Sequence, residues 1–181
     1  MTNFSSSSKI PNRFYNAGER NFAGIRLYSE SCSKPEVGHL PKLRDLILSD
    51  IILSGADLSD SNLSLINLHG AQLVGSQLSD SSLREADLSG ADLTGANLAN
   101  ARLHKANLRG AKLIGANLTG AQLIEADLTN ADLSESILCQ VNLSKIKLDE
   151  ECHRQVLCTK ALLWKTYLPD GTFIDSAKYH D

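Results

Sequence analysis

The sequence predicts an all-β solenoid, and three observations carry that prediction. A leucine falls on every fifth residue from Leu48 to Leu148, making 21 consecutive pentads. A small residue stands two places before most of these leucines, and glycines recur at the end of the pentad.

A period of five fits neither ordinary element. On an α-helix each step of five turns the leucine by about 140°, so no face collects them. On a straight strand an odd period sends successive leucines to opposite faces. The chain must therefore turn a corner once per repeat, after a short extended piece, so that every leucine points at one shared axis. Within the extended piece the small residue and the leucine are two apart and face the same way, inward. The small position holds Ala56, Ala71, Ala86 and most pentads on to Ala131, with Ser61, Ser76, Ser81 and Ser136 as polar exceptions. The residue between them faces out, and Asp57, Asn62, Gln72, Asp87, Asn97, Arg102 and Lys112 stand there. The last two residues form the corner, where Gly55, Gly70, Gly75 and Gly90 supply a positive φ at low cost.

The pentad A-(D/N)-L-x-x over residues 46–150 resembles the signature of the pentapeptide-repeat family. The resemblance implies a right-handed quadrilateral parallel β-helix, four pentads to a coil, with short capping segments at both ends. It also supports a protein that is not an enzyme, since members often act as regulators or have no known activity, and no cofactor is expected. Two flanking motifs are similar to those of the family: Y-x-x-G-E-R-x-F-x-G at Tyr15, Gly18, Glu19, Arg20, Phe22 and Gly24, and T-x-x-P-D-G from Thr166 to Gly171.

The chain divides into residues 1–19 as an N-terminal tail, 20–45 as an irregular coil or cap with a loop, 46–150 as the rod, and 151–181 as a helix or loop followed by a cap. The serine-rich opening lacks the apolar core of a secretory signal and is expected to be disordered. Phe22 and Leu27 are five apart, with Ile25 two before Leu27, so a first coil is expected there in a register shifted by one residue. Ile47 and Ile52 stand at outward positions, where cover by the N-terminal segment is expected. Ile137, Val141 and Ile146 show the same change of character at the other end, where the C-terminal segment is expected to cover them. After Leu148 the pentad fails, then returns with Ala161, Leu163, Thr166 and Leu168. Leu162, Trp164 and Phe173 are expected to close the core, with a homodimer contact as the competing use of the aromatics.

No convergent set of polar groups declares a catalytic site. The 18 basic and 21 acidic residues give a net charge of −3, so charge suggests neither nucleic acid nor membrane as a partner, and a cytoplasmic location is expected. The five histidines show no catalytic spacing to a serine or cysteine and are read as single surface residues. Cys152, His153 and Cys158 lack a fourth ligand, so no metal is expected. A Cys152–Cys158 disulfide and free thiols both fit, according to the compartment.

With twenty residues to a coil, Asp92, Lys112 and Asp132 stack, as do Glu85, Lys105 and Glu125. The basic cluster Arg102, His104, Lys105, Arg109 and Lys112 is then read as surface ion pairs. The function expected is a protein-protein interaction module, monomeric or dimeric through the C-terminal segment. Its candidate surface is the mildly apolar strip Val74, Thr94 and Ile114, with Ile124 on a neighbouring face. The alternative implied by the resemblance is a DNA mimic that binds a type II topoisomerase. That reading wants long acidic columns, and Lys105 and Lys112 interrupt them.

Overall fold

Every backbone N–H in a typical pentad has a specific destination, and these destinations build the rod. The computed structural model describes residues 21–24, 47–148 and 160–180, with the backbone of Phe4–Ser5 and Leu27–Tyr28. In the coil at Leu73, the leucine N–H donates forward to Asp92 O at 2.7 Å and the Gly75 N–H to Thr94 O at 2.9 Å. The outward Gln72 N–H donates backward to Ile51 O at 2.8 Å, and the Ser76 N–H closes the corner on Leu73 O at 3.1 Å. The remaining donor, on the first corner residue, goes to the outward side chain when that is Asp or Asn. Thr94 N–H, for example, bonds Asp92 Oδ1 at 3.1 Å. Parallel bridges such as Ile52↔Gln72, Gln72↔Asp92 and Asp92↔Lys112 repeat at twenty residues, so four pentads make one coil. Stacked coils are about 4.8 Å apart, the ordinary spacing of paired strands.

The second corner residue takes φ near +60° whether or not it is glycine: Gly75 has 64°, Leu65 60° and Glu85 55°. The corner thus imposes the left-handed conformation and glycine merely relieves it. Inside, the pentad leucines from Leu58 to Leu138 are all buried, and the alanine slots of the middle coils are fully closed. Larger residues occupy those slots toward the ends. Ile51 and Ile66 are buried near the start, Val141 is 1 % exposed and Ile146 packs against the core. Val141 and Ile146 therefore point inward, contrary to the outward placement expected, because each lies two residues before a leucine.

At the N-terminal end Asn21 pairs with Ile52, and Phe22 N–H donates to Ile52 O at 2.7 Å. The offset of 31 residues is one beyond a multiple of five, so the shifted register is real, and Phe22 is buried in a leucine position. The expected cover holds for Ile52, which is half-buried, but Ile47 is 69 % exposed. Strand β1 (Phe4–Ser5) pairs in parallel with β2 (Leu27–Tyr28), which places a strand inside the segment expected to be a disordered tail.

The C-terminal end changes direction. Strand β3 (Ile137–Cys139) pairs in parallel with β4 (Ala161–Trp164), in the register Ile137↔Leu162, so this coil takes 25 residues instead of twenty. Strand β5 (Thr166–Tyr167) then pairs antiparallel with β6 (Phe173–Ile174), and β7 (Lys178–His180) lies antiparallel on β4. Ala161, Leu163, Thr166 and Leu168 resume the inward positions, as the returning phase predicted. Thr166 Oγ1 donates to the backbone oxygens of Leu138 and Trp164. Leu168 and Ile174 close the core, whereas Trp164 and Phe173, expected there, are 37 % and 45 % exposed. They sit at outward positions of their strands, so alternation sends them to solvent. The helix or loop expected from residue 151 falls largely outside the described residues.

Candidate interaction surface

The outward residues form four faces, each with a central column. Ile52, Gln72, Asp92, Lys112 and Asp132 centre the first, and Asp57, Gln77, Asn97, Asn117 and Ile137 the second. Asn62, Ser82, Arg102 and Gln122 centre the third, and Asn67, Asp87, Asn107 and Asp127 run through the fourth. Asp and Asn are frequent in these columns because their Oδ1 satisfies the first corner N–H two residues on. Their residue type was legible in the sequence, but this duty was not.

The columns also bond along the rod. On the second face Asn97 Nδ2 donates to Gln77 Oε1 at 3.1 Å, and Asn117 Nδ2 to Asn97 Oδ1 at 3.4 Å. On the first, Lys112 Nζ lies 3.8 Å from Asp92 Oδ2. Lys105 pairs with Glu125 at 3.9 Å and Arg109 with Asp127 at 3.5 Å. The basic cluster thus resolves into ion pairs at these three residues. The Thr94 hydroxyl beside Asp92 holds its carboxyl below the ordinary value against partial burial, helped by the Thr94 N–H and Lys112. Partial burial pushes Asp127 up, but the Thr129 hydroxyl and N–H with Arg109 outweigh it, so its carboxyl also lies low.

The coil pitch breaks up the expected apolar surface. Val74, Thr94 and Ile114 stack through Gly75 N–H to Thr94 O and Gly95 N–H to Ile114 O. Val74 is exposed, and Thr94 and Ile114 are half-buried. Ile124, 40 % exposed, follows Ile114 by ten residues, which is half of a twenty-residue coil. It therefore lies on the opposite side of the rod, not on a neighbouring face, and the four residues share no surface.

One histidine does meet a serine, contrary to the expectation from spacing along the chain. His69 Nδ1 lies 2.9 Å from Ser89 Oγ, twenty residues on, and the Ser89 hydroxyl donates to Asp87 Oδ1 at 2.6 Å. The histidine then donates to the serine oxygen. A nucleophile needs the reverse, giving its proton to the imidazole, so with its proton on Asp87 the serine is not activated. Burial pushes the Cys139 thiol up, away from the reactive thiolate. Among the described residues no group of three or more metal-ligating side chains gathers, and no helix is long and apolar enough to cross a membrane.

The family profile described as Pentapeptide repeats (8 copies) matches residues 51–90, 81–120 and 116–150. Among solved structures, the chain is similar to the pentapeptide repeat protein Rfr23 of the cyanobacterium Cyanothece 51142, with 28% identity and a TM-score of 0.54, covering 78% of this chain and 97% of that one. It is also similar to a pentapeptide repeat protein of the Arabidopsis thaliana thylakoid lumen, at 24% identity and a TM-score of 0.48, covering 64% and 74%. Among curated proteins none matches the sequence. Pentapeptide repeat proteins of known structure form right-handed quadrilateral β-helices, and the twenty-residue parallel bridges of this chain have that form.

Proposed function

Because this chain belongs to the pentapeptide-repeat family, we propose that it is a non-catalytic interaction module, presenting a rigid β-helical face to a protein partner. The observation that supports this reading is the fixed lattice of outward side chains. Each outward residue from Gln72 to Asn117 sits on a backbone bonded to the coils before and after it. Such a surface meets a partner with little ordering cost, because its backbone is already immobilised. The faces are flat, and their groups stand in parallel columns without converging on a point, which suits recognition better than chemistry.

The test is cross-linking and capture from the native host's lysate, in moderate salt, with one variant for each face. Ile114→Asp and Ile124→Asp are tested separately, since they lie on opposite sides. One partner retained by the wild type and lost with a single, still folded variant supports the module and locates its face. Retention of the same proteins by every variant counts against it. Loss confined to Asp87→Lys and Asp127→Lys, with topoisomerase subunits as the captured protein, would replace it with DNA mimicry.

A further inference from the structure

One corner of the rod presents a ladder of backbone donors that no side chain among the described residues satisfies. In most pentads the first corner N–H is capped by Asp or Asn: Asn62 caps Ser64, Asn107 caps Arg109 and Asn142 caps Ser144. At the edge of the third face the outward residues Ser82, Arg102 and Gln122 stand where the cap would be. Among the described residues, the N–H groups of Arg84, His104 and Ile124 have no acceptor. These three stack on successive coils, since Leu83 and Glu85 bond the oxygens of Arg102 and His104, while Leu103 and Lys105 bond those of Gln122 and Ile124. In capped pentads this N–H reaches an oxygen on the outer surface, so in the uncapped ones it points toward the outer surface; Arg84 and Ile124 are exposed there and His104 is half-buried. No other edge of the rod carries three uncapped corners in succession among the described residues; on the first face Thr94, between Val74 and Ile114, is capped by Asp92.

Two arginines stand at the same place, beside a second-corner column in which exposed Glu85 and Glu125 flank Lys105. Arg84 and Arg102 are exposed and belong to neighbouring coils, and among the described residues neither guanidinium has a carboxylate partner. Lys105 beside them is engaged with Glu125. Stacked N–H groups and guanidinium forks both recognise oxyanions, and Arg binds carboxylates through paired hydrogen bonds.

We propose that Arg84, Arg102 and the free N–H groups of Arg84, His104 and Ile124 form a docking strip for an acidic peptide segment of a protein partner. The strip spans two coil spacings, about 10 Å, the reach of about three extended residues. Its length favours successive carboxylates on a peptide over one small anion. The assignment rests on the interaction-module reading and names the chemistry of its partner.

The test is NMR titration of the whole chain with a blocked tetra-aspartate peptide and, separately, with inorganic phosphate. The peptide shifts the amide signals of Arg84, His104 and Ile124, and the double variant Arg84→Gln/Arg102→Gln weakens it about tenfold. The variant Ser82→Asn/Gln122→Asn supplies caps without changing the charge, and it weakens the peptide about fivefold. Gln77→Asn, which supplies a cap on the second face, leaves binding unchanged. Equal binding by the wild type and both double variants, or shifts spread over all faces, overturns the proposal. Phosphate reproducing the shifts at the same concentration as the peptide overturns the peptide assignment. A lysate partner held equally by wild type and Arg84→Gln/Arg102→Gln removes this strip while leaving the interaction module standing.

Discussion

Asn107 donates its Nδ2–H to Oδ1 of Asp87, twenty residues earlier, at 3.0 Å. The same oxygen accepts the Ser89 N–H at 3.1 Å and the Ser89 hydroxyl at 2.6 Å. One carboxylate oxygen thus ties a corner to its own coil and to the next. Asp87→Ala removes three bonds and is expected to cost about 1–3 kcal/mol in urea unfolding, with Asp87→Asn costing less than half of that. Equal losses in the two variants would show that the charge matters and the cap does not.

Leu65 is 39 % exposed and holds φ at 60°, a conformation that L side chains rarely adopt. Leu65→Gly relieves that strain and removes an exposed aliphatic group. The gain outweighs the added freedom of the unfolded chain, giving about 0.5–1 kcal/mol of stability. The reverse change, Gly75→Val, is expected to destabilise by about 1–2 kcal/mol, although open space surrounds the site, because the backbone alone objects. Thermal melts of both variants check the pair.

The buried serines divide into two kinds. Ser81 Oγ donates to Leu78 O at 2.7 Å, whereas Ser76 Oγ and Ser136 Oγ are buried without a partner among the described residues. Ser76→Ala is therefore expected to stabilise by about 1 kcal/mol, and Ser81→Ala to be neutral or to destabilise by about 1 kcal/mol. Denaturant midpoints in the opposite order would refute the assignment of the two hydroxyls.

Acid should loosen the rod through Asp92 and Asp127. Both folded carboxyls titrate below their ordinary value, so their contribution is complete above the unfolded value of about 4. It is lost as pH falls through the lower folded values. The urea midpoint is expected to fall less steeply below about pH 4 in Asp92→Asn/Asp127→Asn than in the wild type. Parallel acid limbs for the two proteins would place the sensitivity elsewhere.

The rod itself was legible because its rule is local. A leucine every five residues and a small residue two before it force a corner per repeat, whatever lies elsewhere in the chain. The returning phase at Ala161 and Leu163 and the shifted coil at Phe22 were legible by the same rule, and Ala161, Leu163 and Phe22 are buried as it requires. Val141 and Ile146 were misplaced only where residue character was allowed to override position in the pentad.

What lies beside what was decided by the tertiary structure. The coil pitch sets Ile114 and Ile124 on opposite sides, and it joins His69 to Ser89 across twenty residues. It also aligns the uncapped corners of Arg84, His104 and Ile124 with two arginines that have no carboxylate partner among the described residues. At the C-terminal end the antiparallel return of β6 and β7 turns Ile174 inward and leaves Trp164 exposed. The sequence by itself determined which side chains face the axis, because burial in a pentad depends on residues two apart. Neighbours on the surface are twenty residues apart, so their contacts follow from the stacking of whole coils and from how the last coil is closed.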